Sequence, residues 1–188
     1  MGKLIYIISM SIDGFMQVPE EDSDWGYPDE EVHQHFNDLV RSIDTHIYGR
    51  KMYELMAAYW PTADEDPSAV TVEVEYAQIW REMPKIVFSK SLEQVDWNSR
   101  LVRSDAVAEV AKLKLIPDKS MDVSGTELAS SLAVAGLIDE YRFYVVPILL
   151  GSGKPLFPQL HELIRVKPLE VHKFKSGALL LRYGAVGI

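Results

Sequence analysis

The sequence contains no cysteine in its 188 residues. This absence excludes disulfide bonds, thiolate nucleophiles and zinc or iron–sulfur sites with cysteine ligands. No apolar run approaches the ~18 residues that a membrane-spanning helix needs. The apolar stretch near the N-terminus is interrupted by Ser9, Ser11 and Asp13 and lacks a following cleavage pattern, so it predicts a core strand rather than a signal peptide. We therefore expect a cytoplasmic protein without a membrane partner.

Positive charge is also scarce. The 19 Lys and Arg residues face 28 Asp and Glu residues, which gives a net charge of −9. A chain with this excess of acids repels a nucleic-acid backbone, so nucleic acid is not an expected partner. The hydrophobic fraction of 47% and the charged fraction of 25% are those of an ordinary globular protein. This length and composition predict one domain over residues 1–188.

Short β-rich runs alternate with segments of helical periodicity along most of the chain. Strands are predicted at 4–10, 45–48, 85–89, 100–103, 121–123 and 141–146. Two helices are predicted to begin at Pro28 and Arg50, and three more to span 72–83, 106–115 and 127–135. Residues 169–174 and 178–183 predict a terminal hairpin. The acidic segment 61–67 is predicted to be a solvated loop. The order predicts an α/β fold with a mostly parallel central sheet, helices on both faces and an antiparallel C-terminal edge.

Glycine marks two strand-to-helix junctions, Tyr48-Gly49-Arg50-Lys51 and Val123-Ser124-Gly125-Thr126. Ligands of open α/β sheets bind beyond the carboxyl ends of the strands, where the next helix presents its first N–H groups. Glycine lets a phosphate approach the backbone, and the helix start adds about half a positive charge. Ser89-Lys90-Ser91 follows a third strand. These junctions predict a pyrophosphate site with room for a further phosphate, such as the 2′-phosphate of NADP. The alternative is that the glycines only permit tight turns.

Other motifs are incomplete. The stretch Gly151-Ser152-Gly153-Lys154 resembles half of a phosphate-binding P-loop, but Ile148 stands where its first glycine belongs and Pro155 replaces the metal-binding hydroxyl. The dinucleotide fingerprint G-x-G-x-x-G does not occur. An ordinary Rossmann domain is therefore not predicted.

The histidines do not predict a metal site. His33 and His35 are two residues apart on a predicted helix and diverge, so we expect solvated side chains. His46 lies in a predicted strand, and His161 and His172 are isolated. No metal cofactor is expected.

Four stretches together carry a family resemblance: SMSIDGF at 9–15, IYGRKMYE at 47–54, VFSKS at 87–91 and DVSGTELASSLAVAGLIDEYRFYVVPILLGSGKPLF at 122–157. They resemble the dihydrofolate reductase-like superfamily. Within it, the chain is most similar to the reductase domain of the bacterial bifunctional riboflavin-biosynthesis deaminase/reductase, in a stand-alone form. The Pro/Gly loop at 147–155 is the most specific feature, because folate-reducing enzymes lack it.

The resemblance implies a sheet of about eight strands, NADPH as the hydride donor and a homodimer. It places the cofactor phosphates at the two glycine junctions. It places the adenosine 2′-phosphate near Ser89 and Lys90, after the third strand. The cofactor-binding residues that it implies are Gly49, Arg50, Lys51, Ser89, Lys90, Ser124, Gly125, Thr126, Glu127 and Leu128.

The substrate side is expected at the end of the first strand. The resemblance implies that Ser11, Asp13 and Gly14 lie beside the nicotinamide and the substrate. By their positions near predicted loops, Trp25, Tyr27 and Trp60 are candidates to line a pocket, and Trp25 is expected on the substrate side. Asp13 is the best-placed carboxylate for a proton transfer that accompanies hydride transfer. The equally good alternative for Asp13 is a turn-forming Asp-Gly pair.

Three departures from the family pattern bear on the reaction. Met52 replaces a threonine at the first phosphate junction, and Ser124 replaces the first of two glycines at the second. Val32 stands where folate reductases carry the acid that orients the pterin, and the neighbouring Glu31 points elsewhere on the helix. The missing acid disfavours dihydrofolate or pterin reduction, and the departures at Met52 and Ser124 leave open a non-catalytic nucleotide-binding homologue.

The leading prediction is an NADPH-dependent reductase of a small heterocyclic substrate. The candidate substrate is 5-amino-6-(5-phosphoribosylamino)uracil of riboflavin biosynthesis. Because that compound carries a phosphate, this hypothesis predicts cations at the substrate mouth, for which Lys154, Arg142 and Arg165 are available.

Overall fold

The computed structural model describes residues 1–16, 28–158, 160 and 163–186. The strands are β1 (Lys3–Ser11), β2 (Thr45–Gly49), β3 (Lys85–Phe88), β4 (Ser99–Val102), β5 (Ser120–Ser124), β6 (Glu140–Val146), β7 (Val166–Lys173) and β8 (Leu179–Ala185). The α-helices are α1 (Glu30–Val40), α2 (Arg50–Tyr59), α3 (Thr71–Glu82), α4 (Ala106–Leu113) and α5 (Thr126–Val134). Among the predicted site residues, Trp25 and Tyr27 lie outside the described residues.

The eight strands form one sheet in the order β4-β3-β2-β5-β1-β6-β8-β7. All pairings among β1 to β6 are parallel, whereas β8 pairs antiparallel with both β6 and β7. The predicted mostly parallel sheet with an antiparallel C-terminal edge is therefore confirmed. Its parallel strands bring their carboxyl ends to one edge, where the two glycine junctions follow the adjacent strands β2 and β5.

Two apolar layers cover the sheet. Alternate residues of β1 enter opposite layers: Ile5 and Ile7 pack on one side with α1, α2 and α3, and Leu4 and Tyr6 pack on the other side with α4 and α5. Because β1 is covered on both faces, its sequence is a continuous apolar run rather than an alternating one. Within the described part of the chain, no helix combines the length and apolar character that crossing a bilayer requires.

The acidic segment after α2 differs from its prediction. Trp60–Glu65 forms a 3₁₀ helix, with Pro61 and Ala63 buried, rather than a solvated loop. Arg81 on α3 donates to both carboxylate oxygens of Asp64 at 2.7 Å and to the Pro61 carbonyl at 2.9 Å. This contact between an acid and an arginine distant in sequence folds the segment back onto α3.

The helices begin in two ways. The side chains of Asp29 and Asp105 cap α1 and α4 by accepting hydrogen bonds from backbone N–H groups. The N-caps of α2 and α5 are Gly49 and Gly125, and neither helix start has a side-chain cap. The first N–H groups of α2 and α5 are therefore left for solvent or a ligand.

Candidate functional site

Two adjoining cavities open at the carboxyl edge of the sheet. The first, here the glycine cavity, has a volume of about 400 Å³ and lies between the starts of α2 and α5. The second, here the aromatic cavity, has a volume of about 380 Å³ and lies between the sheet and α1, α2 and α3. Met16, Met52, Leu55 and Gly125 line both, so the two cavities form one continuous cleft.

The glycine cavity gathers most of the predicted cofactor-binding residues. It is lined by Gly49, Arg50, Lys51, Gly125, Thr126, Glu127 and Leu128. A Cβ atom at Gly49 would meet nothing within 4 Å, so the backbone there is open to a ligand. Gly125 has a φ of 101°, a conformation that favours glycine. The two junctions thus lie against one space, as a diphosphate-binding site requires.

A buried hydroxyl and several cations complete this cavity. Thr126 is 1% exposed, and its Oγ1 has no hydrogen-bond partner among the described residues. Arg50 pairs with Glu54 at 2.9 Å, and the Lys154 Nζ lies 3.5 Å from Glu127. The cavity therefore combines unused backbone donors, an unused hydroxyl and positive side chains, which suits a phosphate group.

The remaining predicted cofactor residues lie elsewhere. Ser89 and Lys90 follow β3, next to β2, but line neither cavity. The Ser89 Oγ accepts hydrogen bonds from the N–H groups of Ser91 and Leu92, so it stabilises its own turn. Ser124 lines the aromatic cavity rather than the glycine cavity.

Ring faces and edges form much of the aromatic cavity. Trp60 and Tyr76 meet edge to face with ring centroids 4.4 Å apart, and Phe36 lies 5.6 Å from Tyr76. Tyr144 adds a further ring from β6. These four rings come from four separate elements: α1, the 3₁₀ helix, α3 and β6. Such a cavity suits a flat ring, because aromatic side chains bind rings through offset and edge-to-face contacts.

A buried His–Asp pair lies on the sheet side of the aromatic cavity, and the sequence pattern did not predict it. His46 on β2 and Asp122 on β5 are direct partners in the strand register, and the His46 Nδ1 is hydrogen-bonded to the Asp122 Oδ1. Both residues are 1% exposed, and both line the cavity. The His46 Nε2 has no partner among the described residues. A carboxylate that accepts from Nδ1–H holds the imidazole in one tautomer and leaves the other nitrogen as an acceptor.

The predicted solvation of the α1 histidines is wrong for His33, which is 3% exposed and packs against Trp60. Burial lowers the pKa of its imidazole, so His33 is neutral at pH 7. His35 is hydrogen-bonded to the Tyr144 hydroxyl at 2.9 Å and stacks on His172, which is therefore not isolated. The packed face of α1 therefore includes His33 and His35 as well as its apolar residues, because both imidazole rings contact aromatic side chains.

Asp13 and Ser11 join two loops. The Asp13 carboxylate accepts hydrogen bonds from the Ser11 Oγ at 2.6 Å and from the N–H groups of Leu150 and Gly151 at 3.1 and 2.7 Å. The hydrogen bond from Ser11, with those from the two backbone groups, lowers the pKa of Asp13 to about 2. Asp13, Ser11 and Gly14, whose φ is 85°, line neither cavity. This geometry favours the turn-forming alternative for Asp13, because its carboxylate is hydrogen-bonded within its own turn and to the 150–151 loop and lines neither cavity.

Folate reductases orient the pterin with an acid on this helix. The α1 residues that line the aromatic cavity here, His33 and Phe36, include no acid. Val32 is buried in the core, and the Glu31 carboxylate accepts from the Lys175 N–H at 3.0 Å, away from the cavity. The described residues also contain no group of three or more His, Asp or Glu side chains that could hold a metal ion.

Known structures and relatives agree with this fold. A putative riboflavin biosynthesis protein from Shewanella sp. PV-4 superposes with a TM-score of 0.77 at 20% identity, over 98% of this chain and 99% of that protein. Acinetobacter baumannii RibD superposes with a TM-score of 0.68 at 16% identity, over 99% of this chain and 58% of that protein. The chain thus has the fold of the RibD-type reductases and spans little more than half of RibD.

A family model described as RibD C-terminal domain matches residues 2–180. The uncharacterized Bacillus subtilis (strain 168) protein YyaP is 31% identical over 182 residues, which cover 96% of this chain and 94% of YyaP. The chain therefore belongs to the RibD C-terminal domain family.

Proposed function

We propose that this protein is an NADPH-dependent reductase of a small heterocyclic substrate. The observation that carries the proposal is the glycine cavity, where two uncapped helix starts, a buried hydroxyl without a partner and three cations lie around one space. Family membership supports reductase chemistry, and the continuous cleft supports a cofactor and a substrate bound side by side.

The residues present fit NADPH. The first N–H groups of α2 and α5 and the Thr126 Oγ1 would hold the diphosphate, and Arg50 and Lys51 supply positive charge at the same edge. Ser89 and Lys90, beyond the adjacent strand β3, are the groups that we assign to the 2′-phosphate. NADPH carries the hydride chemistry when bound. The protein binds and orients both reactants and excludes water from the aromatic cavity.

A non-catalytic nucleotide-binding homologue is the second candidate. Met52 lines both cavities at a position where the family pattern has a threonine, so the junction between them has lost a hydroxyl and gained an apolar side chain. Such a protein would bind NADPH without turnover. Reduction of dihydrofolate is disfavoured, because Val32 replaces the acid that orients the pterin.

Titration with NADPH, followed by nicotinamide fluorescence, tests the proposal. We expect saturable binding in the micromolar range, weaker by about ten-fold in Thr126→Val, which removes one donor to a charged phosphate. Ser130→Ala is the matched control: Ser130 is also on α5 and fully buried with an unpartnered Oγ, but does not line the glycine cavity. Absence of binding at high micromolar NADPH would exclude both cofactor-dependent candidates. Binding without oxidation across pyrimidine and pterin substrates would favour the second.

For assembly we propose the homodimer that the resemblance implies. Strand β7 is the last strand of the sheet, and all eight of its residues are exposed, including Val166, Leu169 and Val171. An exposed edge strand with apolar side chains favours pairing with another chain. Light scattering coupled to size exclusion tests this proposal, and a monomeric mass at micromolar concentration would refute it.

A further inference from the structure

The aromatic cavity contains no cationic side chain in its described lining. The stretches outside the described residues are 17–27, 159, 161–162 and 187–188, and their sequences contain neither Lys nor Arg. Segment 17–27 instead contains four acids, Glu20, Glu21, Asp22 and Asp24. No part of the chain outside the described residues can therefore supply a lysine or an arginine to this cavity.

The titratable groups that line the aromatic cavity supply no cation there. Asp122 is hydrogen-bonded to His46. Burial lowers the pKa of His33 and raises the pKa of the lining phenols, so these groups are neutral at pH 7. The phenols are Tyr48, Tyr76 and Tyr144. The polar groups that remain are the Ser9 and Ser124 hydroxyls and the His–Asp pair, which suit carbonyl and N–H groups of an uncharged ring.

The cations that a phosphorylated substrate would need are held elsewhere. Arg142 donates to the buried carboxylate of Glu140 at the start of β6, the end of the strand opposite to the cleft. Arg165 lines a separate cavity beside Gly136 and Ile138. Lys154 lines the glycine cavity, where its partner is Glu127. The predicted cations at the substrate mouth are therefore not in the lining of the aromatic cavity.

We propose that the aromatic cavity binds an uncharged, planar heteroaromatic substrate and discriminates against its phosphorylated form. The inference rests on the proposed function, because it treats this cavity as the substrate side of the reductase. A phosphate that enters a largely apolar space loses hydration and gains no counter-charge, which opposes binding. A neutral ring loses little hydration and gains the ring contacts of Phe36, Trp60 and Tyr76.

Calorimetric titration with two compounds that differ only in the phosphate tests the inference. The probes are 5-amino-6-(5-phosphoribosylamino)uracil and the same compound without its phosphate. The protein is first saturated with NADP⁺, so that the phosphorylated probe cannot bind in the glycine cavity. We expect the dephosphorylated probe to bind at least about ten-fold more tightly, the effect of a missing charged contact.

A variant with a cation introduced at the edge of the aromatic cavity provides a second test. Leu55 lines both cavities and is 66% exposed, so Leu55→Arg places a guanidinium at their junction without disturbing the core. We expect this variant to reduce the preference for the dephosphorylated probe by about ten-fold. Leu55→Gln, which has a polar side chain without charge, should keep the wild-type preference.

Two results would overturn the inference. One is binding of the phosphorylated probe that equals or exceeds that of the dephosphorylated probe in the wild-type protein. The other is binding of neither probe at about 1 mM, a limit that excludes even weak specific binding. Failure of NADP⁺ to bind in the first titration would contradict the proposed function instead. A glycine cavity that does not hold NADP⁺ also offers no phosphate site to the probe, so the two probes are then compared without NADP⁺, and tighter binding of the phosphorylated probe still overturns the inference.

Discussion

The glycine cavity and the aromatic cavity offer opposite chemistry, although they share Met52 and Leu55. The glycine cavity offers backbone N–H groups, a hydroxyl and cations. The aromatic cavity offers ring surfaces, and its described lining contains no Lys or Arg side chain. The contrast shows how one cleft separates two requirements, because an anion needs fixed donors whereas an apolar ring needs a surface without uncompensated charge.

The largest expected effect is on the buried pair of the aromatic cavity. Asp122→Leu leaves the His46 ring buried without its carboxylate, so we expect the free energy of unfolding to fall by about 3 kcal/mol. Urea denaturation measures this change. The double variant His46→Leu/Asp122→Leu should recover at least half of the loss, because replacing both partners of a buried hydrogen bond by apolar groups is often nearly neutral. A loss below about 1 kcal/mol in Asp122→Leu would show that the pair contributes little to the fold.

The second prediction separates stability from binding at the glycine cavity. Gly49→Asp places a carboxylate at the N-cap of α2, where the space is open. The aspartate accepts from the first N–H groups and stabilises the helix by a few tenths of a kcal/mol. The same side chain occupies the phosphate position with a like charge, so NADPH affinity should fall by about a hundred-fold. Thermal unfolding and fluorescence titration measure the two effects.

Gly49→Ala is the control for this prediction. Its methyl group meets no protein atom within 4 Å and carries no charge, so NADPH affinity should fall by about ten-fold at most, clearly less than in Gly49→Asp. Equal losses in the alanine and aspartate variants would mean that shape, not charge, governs this cavity.

The smallest expected effect is the response to salt. Raising NaCl from about 0.05 to 0.5 M should weaken NADPH binding by about ten-fold, because ions screen the exposed cations of the glycine cavity. Binding of the dephosphorylated uracil probe should change by less than about two-fold, since no charged contact is involved. A similar salt dependence for both ligands would contradict the electrostatic difference between the cavities.

The fold was predictable because its signals are local. A continuous apolar run indicated a doubly covered strand at β1, and glycine after strands marked the starts of α2 and α5. The 3₁₀ helix at Trp60–Glu65 was missed because its acidic composition is typical of a solvated loop. Its folding depends on Arg81, about 20 residues away, and composition does not show such a contact.

The two cavities differed in how far the sequence predicted them. Most of the glycine cavity comes from two short contiguous stretches, so five of its residues stand in the two junctions and two more, Glu127 and Leu128, follow directly. The aromatic cavity takes one to three residues from each of eight elements, and its His46–Asp122 pair exists only because β2 and β5 are neighbours in the sheet. That adjacency joins positions 76 residues apart, and neither residue stands in a recognisable motif.

A dinucleotide bound as proposed at the uncapped starts of α2 and α5 would also stabilise the fold itself. Four N–H groups at each helix start lack partners within the helix, and a diphosphate would complete some of them. Folding and occupancy are then linked by mass action, so the melting temperature should rise with NADPH concentration. The thermal stability of the protein would then report the concentration of NADPH in its solution.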